Sequence, residues 1–113
     1  MKIKVEESIR LEDGSHEGVI DDVTYKEVPY KYTEVVVLCQ VQGKEVKVNV
    51  SFPTNVTENS ALGEALTRFG AKLEVGTDIQ PEEFFTKGKK VIFQTITKGK
   101  YYKVVLESLK PKE

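Results

Sequence analysis

The chain has 113 residues, 39% of them hydrophobic and 31% charged, with a formal net charge of −1. That is enough for one compact domain with a core of its own, too apolar for a disordered segment, and too balanced in charge to hold nucleic acid by a global basic field. One cysteine, Cys39, and one histidine, His16, exclude an internal disulfide and a Cys/His zinc site, and no apolar run approaches the ~18 residues of a membrane span.

Residues 1–13 are charged and weakly patterned, and Ile3, Val5 and Ile9 suggest a short leading strand or an arm. The start, Met1-Lys2-Ile3-Lys4-Val5-Glu6-Glu7, has no apolar signal core, which predicts a cytoplasmic protein. Asp13-Gly14-Ser15 reads as a turn. A first strand is predicted over residues 18–28, with Val19, Asp21, Val23 and Tyr25 on one face and Ile20, Asp22 and Thr24 on the other. Gly18 would permit a sharp bend, and Pro29 breaks the strand.

A second strand is predicted over residues 32–41. Val35, Val37, Cys39 and Val41 share one face; Tyr32, Glu34, Val36, Leu38 and Gln40 share the other. With both faces partly apolar, the strand is either covered on both sides or carries a binding surface. Cys39 reads as a small buried hydrophobe. After a Gln42-Gly43-Lys44 turn, residues 45–52 alternate: Val46, Val48, Val50 and Phe52 inward, Lys47, Asn49 and Ser51 outward. Pro53 ends this third strand.

Residues 54–60 are rich in capping side chains, and a helix is predicted over 60–69. Leu62, Ala65, Leu66 and Phe69 fall at i, i+3, i+4 and i+7, and Gly70 supplies the left-handed stop. Burying these side chains contributes several kcal/mol, at about 1.5–3 for each large one. Pro81-Glu82-Glu83 predicts a short helical turn whose acids favour the dipole, with Phe84 or Phe85 packing back on the strands. Fourth and fifth strands follow over 89–97 and 101–109, joined by Lys98-Gly99-Lys100, and residues 110–113 form a short polar end.

The order three strands, helix, two strands is that of an all-β domain with one helix between strands 3 and 4: a five-stranded Greek-key barrel of the oligonucleotide/oligosaccharide-binding (OB) type. No repeat or linker divides residues 1–113, so one domain is expected, with 1–13 as arm or strand. Gly18-Val19-Ile20, the capped segment 57–70, Phe84-Phe85-Thr86-Lys87-Gly88-Lys89-Lys90-Val91-Ile92-Phe93-Gln94 and the closing strand through Leu109-Lys110-Pro111 give the chain a pattern that resembles OB-fold single-stranded DNA-binding proteins of phage and archaeal replication systems. The resemblance covers most of residues 14–111 and implies sequence-tolerant binding of single-stranded DNA or RNA in replication, recombination or repair. Two features depart from that family: the chain ends in Lys-Pro-Lys-Glu where many phage members carry an acidic tail, and it has no tryptophan for stacking.

Single strands are held by aromatic platforms set among cations. Tyr25, Lys26, Tyr30, Lys31 and Tyr32 surround the loop between strands 1 and 2. Lys98, Lys100, Tyr101 and Lys103 surround that between strands 4 and 5, and Lys47 and Asn49 lie on the outer face of strand 3. All five tyrosines of the chain fall in or beside these loops. Tyr25, Tyr30, Tyr32 and Tyr101 would stack bases while the lysines meet phosphates.

Tyrosine is also a strand former and lysine an edge guard, and the apolar Tyr32, Val36 and Leu38 admit a second reading, a protein-interaction module or a homodimer through this face or a sheet edge. A barrel for a sugar or small ligand is a third. Catalysis finds no support: the Asp21 and Asp22 carboxylates face opposite sides of a strand, His16 reads as an exposed surface residue, and Lys98-Gly99-Lys100 precedes no phosphate-binding helix. No cofactor or metal is expected. Abundant Lys and Glu with few Arg, Cys and Met resembles thermophile composition.

Overall fold

The computed structural model describes residues 1–3, 5, 11–27 and 29–112. Five antiparallel strands form one sheet: β1 (Gly14–Lys26), β2 (Tyr32–Val41), β3 (Lys44–Pro53), β4 (Lys90–Lys98) and β5 (Tyr101–Pro111), in the order β3-β2-β1-β4-β5. One helix, α1 (Ala61–Arg68), falls between β3 and β4, followed by the 3-10 turn Pro81–Glu83. The edge strands β3 and β5 approach one another, and α1 packs against both. No helix among the described residues is long and apolar enough to cross a membrane.

The inner face of the sheet carries the core. Val35, Val37 and Cys39 of β2, Val48, Val50 and Phe52 of β3, and Val91 and Phe93 of β4 are buried together with Leu62, Ala65, Leu66 and Phe69 of α1. Strict alternation over β2 and β3 explains why these strands start and stop within a residue of their predicted limits. Gln42 and Gly43 both take positive φ, 51° and 75°, as a two-residue hairpin turn matched to strand twist requires. Ser60 caps α1, its Oγ accepting from the Gly63 N–H at 3.0 Å. Phe85 reaches back into the core, stacked on Phe52 at 6.3 Å and edge-on to Phe69 at 4.9 Å.

β1 departs from the sequence pattern. It begins at Gly14 rather than 18, and a bulge between Ile20 and Asp22 resets its alternation. Val19 therefore faces outward opposite Leu38, Ile20 inward opposite Val37, and Val23 inward opposite Val35. Val19 and Val23 do not share a face, because one extra residue in a strand reverses everything beyond it. Gly18 pairs with Cys39 of β2 and Val91 of β4 at once. A Cβ there would lie 2.4 Å from Val37 Cγ1 and 2.9 Å from the Leu38 carbonyl oxygen, so close packing as well as bending demands glycine. β5 carries a second irregularity: Ile92 pairs with Lys110 but Gln94 with Val105. Ser108 fills the gap, its Oγ accepting from the Gln94 N–H and donating to the Val105 carbonyl.

The leading strand is not formed where described: Ile3 and Val5 are exposed and unpaired with the sheet, and Ile9 lies outside the described residues. His16 is not a free surface residue. It faces inward beside Phe93, with Nε2 at 2.7 Å from the Glu12 carbonyl oxygen and 3.0 Å from Thr95 Oγ1, and Thr95 donates to that same carbonyl. This cluster ties the chain entering at the buried Leu11 to β4.

Candidate nucleic-acid interface

Directly opposed residues of antiparallel strands project to the same side, so the registers define the outer face row by row. Lys90, Val19, Leu38 and Lys47 form one row across β4, β1, β2 and β3. Asp22, Val36 and Asn49 form the next, then Thr24, Glu34 and Ser51, then Lys26, Tyr32 and Pro53. The row holding Lys47 and the row holding Asn49 thus carry aliphatic surface at Val19, Leu38 and Val36 between polar ends. Val19 is 37% exposed.

Beyond the Val19–Leu38 row the same face opens into a groove of ≈ 500 Å³, lined by Ser15, Glu17, Val19, Leu38, Gln40, Lys90 and Lys112. Ser15 pairs with Gln94 of β4, and Gln94 continues outward into the β4–β5 hairpin. There Ile96 opposes Lys103, and Lys98 opposes Tyr101. Tyr101 is 77% and Ile96 47% exposed, and Lys100 sits in the turn itself. The hairpin stands past the N-terminal end of β1, where Thr97 Oγ1 donates to Asp13 Oδ1 at 2.6 Å.

At the other end of β1 lies the loop to β2. Tyr30 is 69% exposed and meets Tyr32 edge-on at 6.3 Å. The Lys31 carbonyl accepts from the Thr54 N–H, which fastens the loop to the end of β3. The two tyrosine–lysine loops therefore occupy opposite ends of β1. They are not one cluster; the outer rows and the groove form the path between them.

Two of the sequence-predicted residues are engaged elsewhere. Tyr25 opposes the buried Thr33, on the inward side at the rim, and its hydroxyl donates to Glu82 Oε2 at 2.7 Å. Burial first, then the hydrogen bond and charge of Glu82, push its phenol up to about 12. Lys26 Nζ lies 3.2 Å from Glu34 Oε1. Lys31, Lys47, Asn49, Lys98, Lys100 and Lys103 are exposed, and Tyr32 is half-buried.

Lys90 escaped the sequence reading, although alternation from the inward Val91 was enough to place it outside. Lys112 also borders the groove, held 2.8 Å from Glu17 Oε2, and only the register of β5 could reveal this. Cys39 is buried among the core side chains, its Sγ 3.3 Å from the Glu17 carbonyl oxygen, and burial raises its thiol pKa. Among the described residues no group of three His, Cys, Asp or Glu side chains is placed to hold a metal ion.

Compared with known proteins, the chain matches no family model and no curated protein.

Proposed function

We propose that the sheet closes into a Greek-key barrel of the OB type and that its outer face binds single-stranded DNA or RNA with little sequence preference, in replication, recombination or repair. The closure is supported by the approach of edge strands β3 and β5 and by α1 packed against both. One observation carries the binding reading: a single outward-facing path joins Tyr101 of the β4–β5 hairpin to Tyr30 beside β2, with aliphatic surface and the exposed Lys90 and Lys47 along it. Aromatic faces stack bases of any identity, and lysines placed beside them meet the backbone. Tyr30, Tyr32 and Tyr101 are the stacking residues of this scheme; Lys31, Lys47, Lys90, Lys98, Lys100 and Lys103 supply the charge. Tyr25 and Lys26 shape the loop.

A second reading, a protein-docking face, is favoured by the charge balance of the same surface. Lys26 and Lys112 are each paired with a glutamate, and Val36 and Leu38 in adjacent rows, with Tyr32 beyond Glu34, present half-buried apolar surface. Fluorescence anisotropy of a labelled oligothymidine of about 30 nucleotides, longer than the footprint of one such fold, separates the two. Salt-sensitive binding lost in Tyr30→Ala/Tyr101→Ala supports the first reading. No binding at low salt eliminates it.

A further inference from the structure

A second concavity lies away from the outer face, between the loop that precedes α1 and the loop that follows it. It has a volume of ≈ 630 Å³. Half-buried Leu73, Ile79 and Phe84 give it an apolar floor, and Val56 and Val75 stand exposed at its margin, the latter fully. The carboxylates of Glu58, Glu74, Asp78 and Glu83 rim it, against one cation, Lys72. Such a groove repels a nucleic-acid strand. It suits an extended peptide that carries aliphatic side chains and positive charge together.

The chain itself contains a segment of that chemistry. Met1, Ile3 and Val5 alternate with Lys2 and Lys4. All three apolar side chains are stranded in solvent, at 113%, 81% and 94% exposure. The body of the fold begins at the buried Leu11, and the residues between it and Val5 can reach at most about 20 Å.

We propose that residues 1–5 of one copy lie in the acidic-rimmed groove of a second copy, with Met1, Ile3 and Val5 on the apolar floor and Lys2 and Lys4 against the carboxylates. The exchange is isologous, so a pair of molecules makes it twice. It is independent of nucleic-acid binding.

Sedimentation velocity over a wide concentration range tests it, using the full chain, a variant lacking residues 1–5, and Glu74→Lys/Asp78→Lys. Met1, Lys2, Ile3, Val5, Glu74 and Asp78 are all exposed, so the fold is kept. The full chain is expected to dimerise and each variant alone to stay monomeric. An equal mixture of the two variants is expected to form a heterodimer, because one retains the groove and the other the segment. A full chain that stays monomeric throughout overturns the proposal. So does self-association that survives in both variants, as pairing through a sheet edge or the outer face would.

Discussion

The hydroxyl of Tyr25 is held by Glu82, a residue 57 positions along the chain, and that bond has a titration signature. The phenol is protonated in both folded and unfolded chains below its ordinary value near 10. Between about 10 and 12 the unfolded chain loses the proton while the fold keeps it. The fold therefore loses stability as pH rises through this window. Absorbance titration is expected to show the Tyr25 phenol with a midpoint near 12, moved toward lower pH in Glu82→Gln but not to its ordinary value, since burial is the largest single cause. A titration unchanged by Glu82→Gln would remove the carboxylate from the explanation. Tyr30 and Tyr101 are 69% and 77% exposed, so alanine at either is expected to leave thermal stability nearly unchanged. Each substitution should weaken oligothymidine binding by about 1–3 kcal/mol, the worth of one stacked base. Comparison of melting temperature with affinity checks both statements on the same samples.

At the scale of elements, the helix offers a test in which two effects oppose. Gly63 lies in the first turn of α1, where alanine would ordinarily stabilise by about 0.5–1 kcal/mol. A Cβ there would lie 1.9 Å from the Thr57 carbonyl oxygen, in the loop whose hydroxyl and amide contacts build the Ser60 cap. Gly63→Ala is therefore expected to destabilise in urea unfolding, and a stabilised variant would contradict the packing seen at the helix start. Gly18→Ala drives a methyl group into Val37 and the β2 backbone and is expected to cost about 1–3 kcal/mol or more.

The elements also show what a sequence can disclose. β2, β3 and α1 were legible because each repeats its own period without interruption: Val35-Val37-Cys39, Val46-Val48-Val50-Phe52, and Leu62-Ala65-Leu66-Phe69. β1 and β5 were only partly legible. A bulge at Asp21 and the loop of chain around Ser108 obey no local period, since each is set by the partner strand. The inward turn of Tyr25 followed from the first bulge, and its link to Glu82 from tertiary contact alone. Tyr30, Lys31, Lys98, Lys100 and Tyr101 were recoverable from their places in or beside the loops, and Lys47 and Lys103 from strand alternation. The His16–Glu12–Thr95 cluster was not, because its partners are brought together only by the pairing of β1 with β4.

For the whole molecule, the net charge of −1 places the burden of any polyanion binding on local arrangement rather than on the overall field. On the outer face Glu17 and Glu34 pair with Lys112 and Lys26, which leaves Lys90 and Lys47 along the path, Lys31 in the β1–β2 loop, and Lys98, Lys100 and Lys103 at the hairpin. Some six phosphate contacts correspond to a slope of log affinity against log salt of roughly −4.2 for a single strand. Protein docking through Tyr32, Val36 and Leu38 would be nearly flat over the same range. The most direct test is oligothymidine anisotropy across a salt series for the unaltered chain and for Lys47→Glu/Lys90→Glu. Binding with a slope of about −4.2, weakened and made shallower by at least about 1.4 in the double variant, is the result expected of an interface on the outer face of β1, β2, β3 and β4. Binding whose strength and slope are the same in both proteins, or no binding at low salt, would contradict it.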